Sequence, residues 1–355
     1  MNRRTLLRTG AGLGALSLAG CAGLLETRST GNAQVPEDRP DGVYIPGHVE
    51  GTEMVGTGEQ GDFAAGLMYS YAHRFWTVTG DTVERTSLED GDDIHLMASV
   101  WDPETRTVLP ETGLSVEVRQ DGSLVSEEVI YPMLSQPMGF HYGANFGLDG
   151  DGTYTVGLSV GGVSTRRTGA FRGRFGEPTT VDIGFEYSQS TRDDLAYEVL
   201  DRGGERGAVD PREMGMLPDS VAPAAEALPG RVLGSGRSND VVLVATVLDS
   251  PPAGVDGEGA YLAVSARTRY NRMVVPAMGL TGTVTRDAQA VFDGRLTRTL
   301  DPGLGYHYGA VVPGIESGDE LSLSVTTQPQ TARHEGYETA FGGLMGGMED
   351  VTLSV

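Results

Sequence analysis

The sequence predicts an all-β protein made of two tandem β-sandwich domains with a short connecting helix. Two observations carry that expectation. Gly139-Phe140-His141-Tyr142-Gly143-Ala144-Asn145 returns as Gly305-Tyr306-His307-Tyr308-Gly309-Ala310-Val311, so that His307 follows His141 by 166 residues. This spacing is too long for a solenoid repeat and suits a duplicated domain. Short runs of β-branched and aromatic residues also recur between Asp- and Gly-containing turns, the signature of antiparallel sandwich strands.

The elements follow in order. Residues 1–21 read as an export signal: Arg3 and Arg4 precede a short apolar stretch that closes on Leu18-Ala19-Gly20-Cys21. This looks like a twin-arginine signal ending in a lipobox, too short and glycine-rich for a membrane-spanning helix. Cys21 is the only cysteine, and its position makes it the expected lipidated N-terminus; cleavage beyond it would instead release a soluble protein. Residues 22–40, rich in Thr, Gly, Glu and Pro, are expected to form a flexible tether.

The first sandwich is expected over 41–187, with strand patterns at 66–71, 94–101, 114–119, 154–160 and 181–187. Over 188–239, Ser190 or Thr191 could cap a short helix with Leu195 and Val199 on one face, and a Gly-, Pro- and Ala-rich linker follows. The second sandwich, 240–355, begins with the apolar run 241–248 and continues through 260–267, 279–285, 321–327 and 351–355. Each sandwich is long enough to bury its own core, so a metal here would be functional and not a folding staple.

All 26 basic residues are arginine, and the formal net charge is −23. Such a surface repels nucleic acid. The acidic, lysine-free composition resembles that of secreted haloarchaeal proteins, whose carboxylates stay hydrated in brine; it also serves simple solubility.

The chemistry concentrates around six histidines: His48, His73, His95, His141, His307 and His334. Met133 and Met138 lie within one loop of His141, and thioether beside imidazole suits copper better than magnesium or calcium. Either methionine also suits core packing. His141 and His307 could equally be buried imidazoles bonded to a turn, His95 a solvent-facing strand residue, and His73 a strand end whose aromatic neighbours pack. No lysine-bearing phosphate loop and no HExxH motif is present, and the expectation is a protein that is not an enzyme.

Residues 133–145, followed by Asp149-Gly150-Asp151-Gly152 and a Tyr-containing strand, resemble the signature of the periplasmic iron-transport-associated proteins. Those are immunoglobulin-like sandwiches that bind copper, iron or zinc. The resemblance implies ligands from a methionine, from the histidine of His-Tyr-Gly-Ala-Asn, from a His-x-Glu pair on an early strand and from a later-loop histidine. His141 matches in full. Met133 lies one residue further from the histidine than in that pattern, and Met138 is an alternative. His95 and Met97 stand best for the His-x-Glu pair, being two apart on one strand face. His48-Val49-Glu50 is a literal match but falls in a Pro-Gly loop, where chance would supply it.

Between the copies, Met133 and Met138 correspond to Thr299 and Leu304, and Thr168 corresponds to His334. Aligning 93–102 with 240–249 puts Val242 and Val244 opposite His95 and Met97. The expected site is therefore split, with His95, Met97, Met133, Met138 and His141 as one half and His307 with His334 as the other. An intramolecular pseudo-dimer would share the metal, copper or iron. The function this implies is a membrane-anchored extracytoplasmic metal-binding protein that assists uptake through a permease or redox partner. The alternative is a cell-surface adhesion module of two immunoglobulin-like domains without metal.

Overall fold

The computed structural model describes residues 34–343 and 347–355. The signal segment, Cys21 and the tether up to residue 33 lie outside the described residues. No helix among the described residues is long and apolar enough to cross a membrane.

Strands dominate the secondary structure of both halves of the described chain. The first half carries β1 (His48–Glu50), β2 (Glu53–Gln60), β3 (Phe63–Tyr71), β4 (Phe75–Thr79), β5 (Thr82–Thr86) and β6 (Ile94–Trp101). It continues with β7 (Leu114–Gln120), β8 (Ser123–Ser135), β9 (Gly139–Phe146), β10 (Gly152–Val160), β11 (Arg166–Arg167) and β12 (Thr179–Tyr187). Helix α1 (Gln189–Asp193) and β13 (Tyr197–Val199) lead to the second half. There follow β14 (Arg231–Ser238), β15 (Val241–Leu248), β16 (Ala260–Thr268), β17 (Gly279–Arg286) and β18 (Gln289–Asp301). The last are β19 (Gly305–Val312), β20 (Glu320–Thr327), β21 (Ala332–Arg333) and β22 (Val351–Ser354).

The duplication is visible in the topology. The first sandwich orders its strands β2-β3-β6-β9-β8-β7-β10-β12, and the second repeats this as β14-β15-β16-β19-β18-β17-β20-β22. In each, one long strand joins the two layers: residues 123–130 of β8 pair with β7 and 131–135 pair with β9, and β18 divides in the same way between β17 and β19.

Period-2 alternation explains which face is core. Val156, Leu158 and Val160 of β10 point inward between exposed residues, as do Val181, Ile183 and Phe185 of β12. Strands β3, β6 and β9 differ, being buried on both faces. Their inner face carries Leu67, Leu96, Phe140 and Tyr142 into the main core, and the outer face carries His95, Met97 and His141. What covers that outer face is the other domain and the connector.

The two sandwiches exchange short strands. β11 of the first pairs in parallel with β18 of the second, Arg166 opposite Thr299. β21 of the second pairs in parallel with β8 of the first, Ala332 opposite Met133. The second pairing is the first one shifted by the sequence repeat, so each domain receives the same segment of the other.

Three details depart from the sequence-based expectation. The helix is capped by Ser188, whose Oγ accepts from Thr191 N–H at 3.1 Å, and spans five residues, while Val199 pairs with His48 in a strand. β14 opens the second sandwich before residue 240, hidden by glycines; a Cβ at Gly236 would lie 2.2 Å from Val351 Cγ1, so this edge needs glycine to close. The strand equivalent to β6 is β16 and not β15, because β9 pairs with β6 as β19 pairs with β16. Tyr261 and Ala263, not Val242 and Val244, therefore stand opposite His95 and Met97.

Candidate metal centre

Four imidazoles meet where the domains join. His95 projects from the outer face of β6 and His141 from the same face of β9. His73 follows β3, and His334 follows the exchanged strand β21, with its backbone N–H donating to Leu134 O at 3.0 Å. His73 Nε2 lies 3.1 Å from His334 Nδ1, and His141 Nε2 lies 3.2 Å from His334 Nε2. Ligand nitrogens of His73, His95 and His334 all fall within 4.8 Å of one another.

The outer nitrogens fix the tautomers. His95 Nδ1 lies 2.8 Å from Asn145 Oδ1, His141 Nδ1 lies 3.1 Å from Gly139 O, and His73 Nδ1 lies 3.0 Å from Tyr71 O and 3.2 Å from Glu50 Oε2. The Asn145 amide cannot be turned round, because its Nδ2 donates to His73 O at 3.0 Å. Each Nδ1 therefore carries the proton, and three Nε2 lone pairs point inward. Acceptors placed behind histidines in this way are what orients metal-ligating imidazoles.

The donor set has more lone pairs than protons. A neutral His334 has one N–H for two neighbouring nitrogens, and His95 Nε2 is buried with no hydrogen-bond partner among the described residues. At least one nitrogen pair is left lone pair to lone pair. A cation resolves this, and a proton is the poorer one: burial, then the neighbouring imidazoles, pushes His334 well below 6.5. Burial likewise lowers His95, with His73 adding to it, and holds His141 at about 4. Neutral, convergent imidazoles fit a transition metal.

Sulfur reaches the same space. Met133 is fully buried and paired across the ladder with His141, and a Cβ at Gly143 would sit 2.8 Å from His95 Nε2 and 3.2 Å from Met133 Sδ. Gly143 thus leaves open the gap between thioether and imidazole. Met97 and Met138 line the neighbouring cleft of about 100 Å³, together with His73, His334 and Glu50.

Glu50 is the main residue that sequence reasoning passed over. It accepts from His48 Nε2 at 3.3 Å as well as from His73 Nδ1. Burial works to raise its pKa, but His73 and His48 overcome this and hold the carboxyl at about 2. The literal His-x-Glu at 48–50 therefore stands behind His73, and His73 itself, which reads in sequence as a packed strand end, is central. The available signal was that His-x-Glu; its setting between Pro46-Gly47 and Gly51 read as a loop and hid its relevance, whereas the structure makes it strand β1.

His307 does not join His334, which corrects the expected second half-site. The exchanged strand carries His334 away into the first domain, and His307 stays behind in the second. Its Nδ1 repeats the backbone bond of His141, 3.0 Å from Gly305 O, but its Nε2 meets Tyr261 Oη at 3.0 Å. Arg166, delivered by β11, donates through Nη2 to Tyr261 Oη at 2.8 Å, Thr299 Oγ1 at 2.8 Å and Gly309 O at 3.0 Å. Thr299 stands where Met133 stands, Tyr261 where His95 stands, and Thr168 where His334 stands. A permanent guanidinium surrounded by oxygens fills the second copy.

Fold and donor set together define a two-sandwich protein with a cluster of histidines at the seam between its domains. The chain belongs to the family described as a domain of unknown function, DUF7350, which matches residues 52–168 and 226–354. No curated protein matches the sequence. A copper-bound variant of FetP from uropathogenic Escherichia coli strain F11 is similar at 18% identity over 38% of this chain and 97% of that one, with a TM-score of 0.28. The as-isolated FetP of the same strain matches at 19% identity over 40% of this chain and 96% of that one, also with a TM-score of 0.28. Likeness at this level carries no argument about the site.

Proposed function

We propose that this chain is a membrane-anchored, extracytoplasmic protein that binds one transition-metal ion in its histidine centre, copper in preference to iron. His73, His95, His141 and His334 supply nitrogen and Met133 supplies sulfur. The observation that carries the reading is the buried, unpartnered Nε2 of His95 among inward-facing imidazoles whose Nδ1 protons are already placed. A neutral nitrogen-rich set with a thioether suits copper, whereas iron favours carboxylate oxygen, and Glu50 stands behind His73 instead of in the centre. Anchoring rests on Cys21 and delivery on a partner such as a permease or redox protein; the role is binding and transfer without turnover.

Metal analysis of protein purified without added metal, in high salt at neutral pH, tests this. One equivalent of copper or iron is expected, lost in both His141→Ala and His334→Ala. Metal-free protein that also declines added copper, iron and zinc would sink the reading.

A further inference from the structure

Five methionines gather beside the histidine cluster. Met68 and Met97 are buried with Ala64, Trp101 and Leu217, and Met54, Met138 and Met214 pack around them, each partly exposed. Their arrangement is ordered by strand register: Met54 is directly opposite Met68 across β2 and β3, and Met68 is directly opposite Met97 across β3 and β6. Directly opposed residues on antiparallel strands share a face and stand about 5 Å apart at Cβ. The next residue in the same row is Gly143, opposite Met97 on β9. That is the glycine whose missing Cβ opens the gap between His95 Nε2 and Met133 Sδ.

We propose that Met54, Met68 and Met97, with Met138 and Met214 at the open end, form a thioether site for a second, soft monovalent ion, Cu(I), in line with the histidine centre. The proposal rests on the metal-centre reading above, and extends it by naming a distinct sulfur-only site and the oxidation state it takes.

Thioethers are neutral, polarisable and never protonated in water, so they hold a soft monovalent ion without a counter-charge and hold Zn(II) poorly. The connector builds the open end. Arg212 N–H donates to Pro137 O at 2.8 Å, which lays the 212–217 segment over the β8–β9 turn that carries Met138. Leu217 then packs over β3 at Gly66, where a Cβ would lie 2.2 Å from Leu217 Cδ2. The cations beside the cleft are engaged elsewhere: Arg74 pairs with Glu335 at 2.9 Å, and Arg212 donates to Thr52 Oγ1 at 2.7 Å and to the Glu50 carbonyl. Core packing alone would not require three methionines abreast on adjacent strands with their row ending at a metal centre.

The test uses the full chain loaded with one equivalent of Zn(II) to fill the imidazoles, then titrated with Ag(I), a redox-inert stand-in for Cu(I). Methyl-labelled methionines are followed by NMR. One Ag(I) equivalent is expected, shifting the methyls of Met54, Met68, Met97, Met138 and Met214. Met54→Leu, Met68→Leu and Met214→Leu combined should weaken Ag(I) by more than about tenfold while Zn(II) uptake stays at one equivalent. Leucine keeps the side-chain volume, so the fold should hold. No Ag(I) uptake by the Zn(II)-loaded protein, or equal uptake by the triple variant, overturns the thioether site and leaves the histidine centre standing. If the protein declines Zn(II), copper(II) and iron yet Ag(I) still moves these methyls, the histidine reading falls and the thioether site survives.

Discussion

His334 Nδ1 lies 3.1 Å from His73 Nε2, although 261 residues separate them in the chain. The contact exists because β21 leaves the second sandwich and pairs with β8 of the first. Removing either residue opens the centre from a different domain. His73→Ala and His334→Ala should each weaken Zn(II) or copper binding by about a hundredfold or more, since loss of groups merely behind a ligand costs 10- to 100-fold. The double variant should lose little beyond either single one, because members of one site are not additive. Competition titration against a metal indicator checks this, and additive losses would mean two separate sites.

Glu50 and Asn145 act one step back. Glu50→Gln and Asn145→Leu should reduce affinity by about 10- to 100-fold without changing stoichiometry, because each frees a ring whose tautomer it had fixed. Asn145→Leu should also loosen the turn at His73, whose carbonyl accepts from Asn145 Nδ2. Unaltered affinity in both variants would show that the rings are oriented by packing alone.

The gap at Gly143 is a steric prediction. Gly143→Ala would bring a methyl to 2.8 Å from His95 Nε2, closer than packed atoms tolerate, and should abolish metal uptake while the sandwich remains folded. Circular dichroism and metal content on the same sample separate these effects. Full metal occupancy in this variant would place the centre elsewhere.

Stoichiometry follows from Arg166. With a guanidinium among Tyr261, Thr299 and Gly309, the second copy has no vacancy for a divalent ion, so Zn(II) or Cu(II) should saturate at one equivalent per chain. His307→Ala should leave that equivalent intact. Calorimetric titration of both proteins checks it, and two wild-type equivalents would contradict the role given to Arg166.

His307 also predicts a pH dependence. Burial lowers it to about 4 from 6.5, so the folded chain refuses a proton that the unfolded chain accepts. Its stabilising contribution is complete above pH 6.5 and is lost progressively as pH falls from 6.5 to about 4, amounting to about 3 kcal/mol. Urea unfolding of the metal-free protein across that window should show this loss together with that from the other buried histidines, and His307→Gln should make the pH dependence shallower by the His307 share. For the same reason metal binding should persist below pH 6.5, since His141 also remains neutral down to about 4.

The sequence by itself determined the β class and the duplication, put His95 on an early strand, and picked out Met133 and His141 as candidate ligands in what reads as one loop, which the structure resolves into the facing strands β8 and β9. Those are local matters: alternation sets a residue's face, and an exact repeat fixes equivalence. It also marked His334 as a histidine that the first copy lacks. What it could not determine was which domain His334 serves, since the exchange of β11 and β21 is a pairing between distant segments that leaves no periodic trace. The same holds for Glu50 and His73, brought together by the pairing of β1 with β13 and by the turn after β3, and for Arg166, whose place in the second copy depends on the reciprocal exchange. Register across strands, not spacing along the chain, decided that one copy gathers four imidazoles while the other closes around a guanidinium.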